Sequence, residues 1–188
     1  MRNGEELRGE ILTAAREEFA RYGLAGARID RVAKNARASK ERLYAHFGDK
    51  ETLFREVVTA DAARFFTAVL PRPDALAEFV GEIYDLARAN PEHLRMVTWA
   101  RLEGLSLLPP DTPAVPPPAI DVVATGQRSG HIDAGWDPEE LIVMLFGLAL
   151  SWAGWPHPAA GADDAAVVAG RRAAAVEAAA RIIAPSRR

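Results

Sequence analysis

The stretch Ile29-Asp30-Arg31-Val32-Ala33-Lys34-Asn35-Ala36-Arg37-Ala38-Ser39-Lys40-Glu41-Arg42-Leu43-Tyr44-Ala45-His46-Phe47 decides the fold of this chain. Ile29, Val32, Ala33 and Ala36 keep the i, i+3, i+4, i+7 spacing of a short amphipathic helix. Arg37-Ala38 interrupts it. Ser39 suits the N-cap of a second short helix, with an inward face drawn from Leu43, Tyr44 or Phe47. Gly48-Asp49 closes that helix, and Asp49 can cap another that begins at Lys50. Two short helices joined by a tight turn form a helix-turn-helix. Its second helix fits the DNA major groove while its first crosses the backbone. Ile29, Val32 and Ala33 would pack against Leu43 and Phe47, leaving Lys40, Arg42 and His46 to project outward.

The charge around this stretch differs from the rest. Seven basic residues (Arg28, Arg31, Lys34, Arg37, Lys40, Arg42, Lys50) stand against three acidic ones, and they include every lysine of the chain. Residues 61–188 hold 11 basic and 16 acidic residues, and the whole chain carries a formal net charge of −3. That total argues against a protein that coats nucleic acid nonspecifically. A basic window on an acidic body is an anion-binding face or an ordinary solvated helix surface.

Outward from the window the pattern stays helical. Leu7, Ile11, Ala15, Phe19 and Tyr22 predict a first helix from about Glu5 to Tyr22, stopped by Gly23. A long fourth helix carries Leu53, Phe54, Val57, Val58, Ala62, Phe65, Phe66 and Val69, and Pro71 and Pro73 end it. A fifth spans Leu76 to Ala87, and Pro91 opens a sixth that stops at Gly104. Six of the 13 prolines fall between Pro109 and Pro118, which predicts a loop there. A seventh helix covers Pro118 to Ser129. Asp137-Pro138-Glu139-Glu140 caps an apolar eighth closed by Pro156-His157-Pro158, and an alanine-rich ninth runs from about Asp163 to Ile183. No stretch alternates with period two, so the expected fold is all-α, with about nine helices.

Several functions are disfavoured by what the chain contains. It has no cysteine, hence no disulfide, thiolate nucleophile or cysteine-held metal. Its four histidines, 46, 93, 131 and 157, form no pair at helical spacing. No metal or cofactor is expected. Ser106, Ser129 and Ser151 lack a nucleophile elbow, and no glycine loop suits a phosphate, so an enzyme is not expected. The polar start, Met1 to Glu6, gives no secretory signal. The apolar run Leu141 to Trp155 is shorter than the ~20 residues of a membrane span. A cytoplasmic protein is expected.

Here a resemblance becomes specific. Ile29-Asp30-Arg31-Val32-Ala33-Lys34-Asn35-Ala36, Ser39-Lys40, Leu43-Tyr44, Phe47, Lys50-Glu51 and Leu53 resemble the DNA-binding signature of TetR-type transcriptional regulators, and Phe19-Ala20-Arg21-Tyr22-Gly23 matches too. The motif covers roughly residues 7–54. The later helices are similar, more loosely, to that family's regulatory domain. The resemblance implies a DNA-binding domain at 1–49. The long fourth helix would join it to a helical effector-binding and dimerisation domain at 50–188. It also implies a dimeric repressor that leaves a palindromic double-stranded operator when a small, largely apolar or aromatic effector binds. By position, Ser39 would cap the recognition helix and touch phosphate, and Tyr44 would meet the backbone or a thymine methyl. His46 would face phosphate, and Lys50 would hold one at a helix N-terminus.

Three positions depart from the family pattern. Arg37 stands where the turn usually has glycine, at ~1 kcal/mol if the backbone is left-handed; it is also a phosphate contact by charge. Ala27-Arg28 replaces a capping threonine, so the second helix is expected to fray, with Arg28 another basic group at the interface. Glu41-Arg42 replaces small residues. Arg42 would be the main base reader, on guanine O6 and N7, with Lys40 second. Glu41 either accepts from cytosine or pairs with Arg37.

For the effector, the resemblance directs attention to Phe65, Phe66, Tyr84, Trp99, Arg101, Met144 and Trp152, with Tyr84, Trp99 and Arg101 offering polar groups beside apolar surface. The homodimer is expected through helices eight and nine, by Leu141, Leu145, Leu148 and Trp152 with Ala166, Ala169, Ala173 and Ala180. The competing reading is a small-molecule carrier or sensor with no specific DNA function; such a protein has no need of the basic window.

Overall fold

In the computed structural model the chain is described at residues 4–105, 116–155 and 164–185. The described residues form nine helices and no strand: α1 (Gly4–Gly26), α2 (Ile29–Asn35), α3 (Lys40–Phe47), α4 (Lys50–Ala68), α5 (Leu76–Ala89), α6 (Pro91–Leu102), α7 (Pro117–Arg128), α8 (Pro138–Ala149) and α9 (Ala165–Ile183). The fold is all-α, an N-terminal helix-turn-helix followed by a larger helical part. Residues 109–115 of the proline-rich loop, Pro156-His157-Pro158, Asp163 and Ser106 lie outside the described residues.

Contacts divide the chain into two units. The first takes α1–α3, α4 as far as Phe65, and α6 from Asn90; the second takes Phe66–Ala89 and α7–α9. In the first unit Ile11, Ala15, Phe19, Val32, Leu43, Leu53 and Phe54 are fully buried. Phe19 meets Phe54 edge to face, with ring centroids 4.9 Å apart. Each of these side chains larger than alanine gains about 1.5–3 kcal/mol on leaving water, so this core fixes how α2 and α3 are carried. α1 is continuous only in its hydrogen bonding. Gly23 has φ 65 and ψ −175, a conformation glycine alone adopts easily, and it breaks the helix where its sequence signal lay. A Cβ at Gly23 would lie 2.7 Å from the Trp99 ring of α6, so glycine also permits that approach.

In the second unit α5 packs on α8 and α9, and α7 packs on α8. Leu76, Phe79, Val80 and Ile83 of α5 are buried with Leu141, Ile142 and Leu145 of α8. Asp137 caps α8 by accepting from the Glu139 and Glu140 amides at 3.0 and 3.1 Å, and Asp164 caps α9 in the same way. Two expectations need correction. α8 ends at Ala149, well before Pro156, and residues 150–155 form turns. The stripe Leu141–Leu145 does not face outward for a second subunit. Both residues are wholly buried in their own unit, because α5 and α7 cover that face. The exposed apolar residues of α8 are Val143 and Met144.

Candidate nucleic-acid interface

α2 begins without a side-chain cap of its own: Arg28, at the N-cap, has extended backbone and makes no capping bond. The fraying expected from this is countered from outside. Glu18 of α1, only 5% exposed, accepts the Arg28 amide at 2.8 Å and the Arg31 Nε at 2.8 Å. Burial pushes the Glu18 carboxyl up. The hydrogen bonds from Arg31 and the Arg28 amide, with the charges of Arg31 and Arg21, outweigh that and leave it below its ordinary value. Arg31 also lies over the Tyr22 ring, 4.3 Å from its centroid.

The turn between the helices is tight and strained as expected. Arg37 has φ 50. Its amide donates to Lys34 O at 3.1 Å and the Ala38 amide to Ala33 O at 2.9 Å, the paired bonds of a glycine-type helix stop made here with arginine. Ser39 then caps α3, its Oγ accepting from the Arg42 amide at 3.3 Å. The Glu41 carboxyl is turned onto the same helix start. Its own amide, then the Ser39 hydroxyl, holds it below its ordinary pKa. Leu43 and Phe47 are buried, Gly48 stops the helix at φ 74, and Asp49 caps α4 by accepting the Thr52 amide at 2.7 Å.

Around these supports the cationic and polar side chains are open to solvent. Arg28, Arg37, Ser39, Lys40, Arg42, Tyr44 and His46 are exposed. Six of the seven basic residues separate into kinds that the sequence does not distinguish. The side chains of Arg28, Lys34 and Arg42 have no partner among the described residues. Arg31 is bound to Glu18, and Lys40 to Asp30. Lys50 is half-buried and donates to Ala27 O at 3.3 Å and Ala25 O at 3.5 Å, so it ties the α1–α2 corner to the start of α4. Lys34 was not singled out from its sequence position, and charge count was its only signal.

A second cluster in this unit had no sequence signal at all. The Asp61 carboxylate, 4% exposed, accepts from Arg16 Nε at 2.6 Å, His93 Nδ1 at 2.6 Å and Arg64 Nη2 at 3.1 Å; Arg16 also pairs with Glu92. Burial raises the Asp61 carboxyl, but His93 and Arg16 dominate and hold it at about 2. His93 lies flat on Phe65, with centroids 4.1 Å apart. The cluster joins α1, α4 and α6.

The residues considered for an effector fall into both units. Phe65, Trp99 and Arg101 belong to the first: Phe65 is buried on His93, Trp99 lies against Gly23, and Arg101 is exposed. Phe66, Tyr84, Met144 and Trp152 belong to the second. There Tyr84 is buried, Met144 is exposed, Phe66 meets Phe146, and Arg171 stacks over Trp152 at 4.1 Å.

A capped recognition helix seated on two buried anchors, with the unpartnered Arg42 in its first turn, defines a helix-turn-helix DNA-binding protein. Comparison with known proteins agrees and narrows the class. Residues 11–57 match the family of bacterial regulatory proteins, tetR family, and residues 75–181 match the tetracyclin repressor-like C-terminal domain. The HTH-type transcriptional repressor SCO4008 of Streptomyces coelicolor is 36% identical over 155 residues, covering 81% of this chain and 80% of its own. The HTH-type transcriptional regulator RutR of Escherichia coli is 28% identical over 170 residues, covering 85% of this chain and 77% of its own. The crystal structure of the regulator SCO4942 from Streptomyces coelicolor superposes with a TM-score of 0.80 at 41% identity, covering 94% of this chain and 97% of that one. The chain belongs to the TetR family of DNA-binding transcriptional regulators. No helix among the described residues is long and apolar enough to cross a membrane.

Proposed function

We propose that the chain acts as a dimeric repressor, with residues 1–49 touching the operator and residues 50–188 carrying effector and dimer contacts. The observation that carries the reading is the trio of unpartnered cations, Arg28, Lys34 and Arg42, on the unit that holds the capped α3. Arg42 reads guanine O6 and N7; Ser39, Tyr44, His46, Arg37 and Arg28 contact phosphate or backbone. Lys50 spends two of its three N–H groups on backbone carbonyls, so its share of phosphate binding is small. A C2 dimer would set two copies of α3 ~34–36 Å apart on a palindrome. Its surface is the exposed side of α8 at Val143 and Met144 with that of α9 at Val167 and Ala173. A small apolar or aromatic effector would release DNA by favouring another spacing. The protein would work beside the chromosome, in the cytoplasm, and catalyse nothing. The repressor role is supported by the similarity to SCO4008.

Selection of bound duplexes from random DNA tests this. Expected are palindromic sites and binding that weakens steeply with salt. Arg42→Ala should lower affinity for the selected site ~10-fold more than for random DNA. Equal loss on both would remove Arg42 as the base reader. Absence of duplex binding would leave the carrier reading.

A further inference from the structure

Asp30 is an acid within the basic stretch of the helix-turn-helix. It is exposed in the first turn of α2, and its carboxylate pairs with the ammonium of Lys40, the first residue of α3. Both side chains are more than half exposed, at 65% and 54%, so the pair adds little to stability in water. The helix dipole favours an acid at that place, but it does not call for a lysine partner from the next helix. A carboxylate facing phosphates also weakens DNA binding in general.

The first residues of a recognition helix are the ones that reach base edges. Lys40 holds that position, and Asp30 is held with it. Resting on the DNA-binding reading above, we infer that Lys40 and Asp30 together read one G·C base pair in each half-site. The ammonium donates to guanine O6 and N7, and the carboxylate accepts from the cytosine N4 amino group. An ion pair is a donor beside an acceptor. In the major groove a G·C pair shows an acceptor beside a donor, since guanine O6 and cytosine N4 are bonded to each other at ~2.9 Å. The two pairs close on one another with every base-edge group of the G·C pair matched. An A·T pair fits less well. In the same register it sets the adenine N6 donor against the ammonium and the thymine O4 acceptor against the carboxylate, and its thymine adds a methyl group. Glu41, the other acid at this end, is already turned back onto Ser39 and its own amide. Arg42 stays free for a different base pair. Asp30 therefore sets specificity in two ways: it accepts from the right cytosine, and its charge penalises every duplex that lacks one there.

The test uses the full-length chain and a duplex selected from random DNA by the wild type. Affinities are measured for that duplex, for each single base-pair change in one half-site, and for a random duplex. Circular dichroism confirms that Asp30→Ala keeps its helices. The wild type should prefer G·C at one position by ~10-fold, and Asp30→Ala should lose that preference while keeping the one due to Arg42. Asp30→Ala should also bind the random duplex several-fold more tightly at low salt. If Asp30→Ala keeps every base preference, or weakens selected and random duplexes by one common factor, Asp30 is only a helix-start acid and the proposal is wrong. If the wild type itself does not bind duplex DNA, the underlying reading fails as well, and the two failures are told apart by that first measurement.

Discussion

The two units place their directional bonds at different depths. In the first, three buried polar residues, Glu18, Asp61 and His93, join helices through directional bonds, while in the second the buried polar residue described is Arg171, stacked on Trp152. The second unit also has a charged tie, Arg172 of α9 to Glu78 and Asp85 of α5, but that tie lies nearer the surface, and the interior depends on close approach. A Cβ at Gly126 of α7 would lie 2.4 Å from Ile132 and 2.8 Å from the Pro73 carbonyl, and one at Gly81 of α5 would lie 2.7 Å from the Arg172 guanidinium and 2.8 Å from Val176, both of α9. Apolar packing sets a distance between helices but tolerates small slips. Hydrogen-bonded charges set an angle and a register as well. The unit that must hold Arg28 and α3 in place is the one with three such groups, Glu18, Asp61 and His93, in its interior.

The contrast can be broken most forcefully at Asp61. Asp61→Ala leaves Arg16, Arg64 and His93 without their shared acceptor, and a loss of about 3–5 kcal/mol is expected. Urea unfolding followed by circular dichroism checks it. The same carboxylate gives a pH signature. Its pKa falls from an ordinary 3.8 to about 2, so its stabilisation is complete above the unfolded value and disappears as pH drops from 3.8 toward 2. That contribution is about 2 kcal/mol, and Asp61→Asn should remove it from the acid-unfolding curve. A wild-type curve unchanged by Asp61→Asn would show that the cluster is not what sets the first unit apart.

In the second unit the corresponding change is Gly126→Ala. Glycine to alanine inside a helix ordinarily gains up to ~1 kcal/mol, but here the new methyl meets Ile132 and a backbone carbonyl. A net loss of about 1–2 kcal/mol is expected in thermal melts, and an unchanged or higher Tm would mean that α7 is loosely packed. The smallest effect sharpens the comparison from the other side. Arg37→Gly relieves the left-handed backbone at φ 50 and should gain up to ~1 kcal/mol in stability. It should lower DNA affinity and flatten its salt dependence by about one phosphate's worth. Gain without loss would make Arg37 a bystander.

Most of the helices are legible in the sequence because their signals are local. Ser39, Asp49, Asp137 and Asp164 each cap the helix that follows, through amides two or three residues on. The break at Gly23 and the strained turn at Arg37 were legible for the same reason: backbone conformation there depends on the residue itself. The inner face of α8 was misjudged because an apolar stripe carries no record of which neighbour will cover it.

What the chain's order of residues determined alone is therefore the helices, their ends, the short helix pair and the cationic window around it. Only the tertiary structure decided which cations remain free, because their partners lie far along the chain. Glu18 reaches Arg31 across 13 residues, Lys50 reaches Ala27 across 23, and Asp61 reaches Arg16 across 45. A charge's availability depends on the group that folding brings to it, and spacing along the sequence does not encode that group.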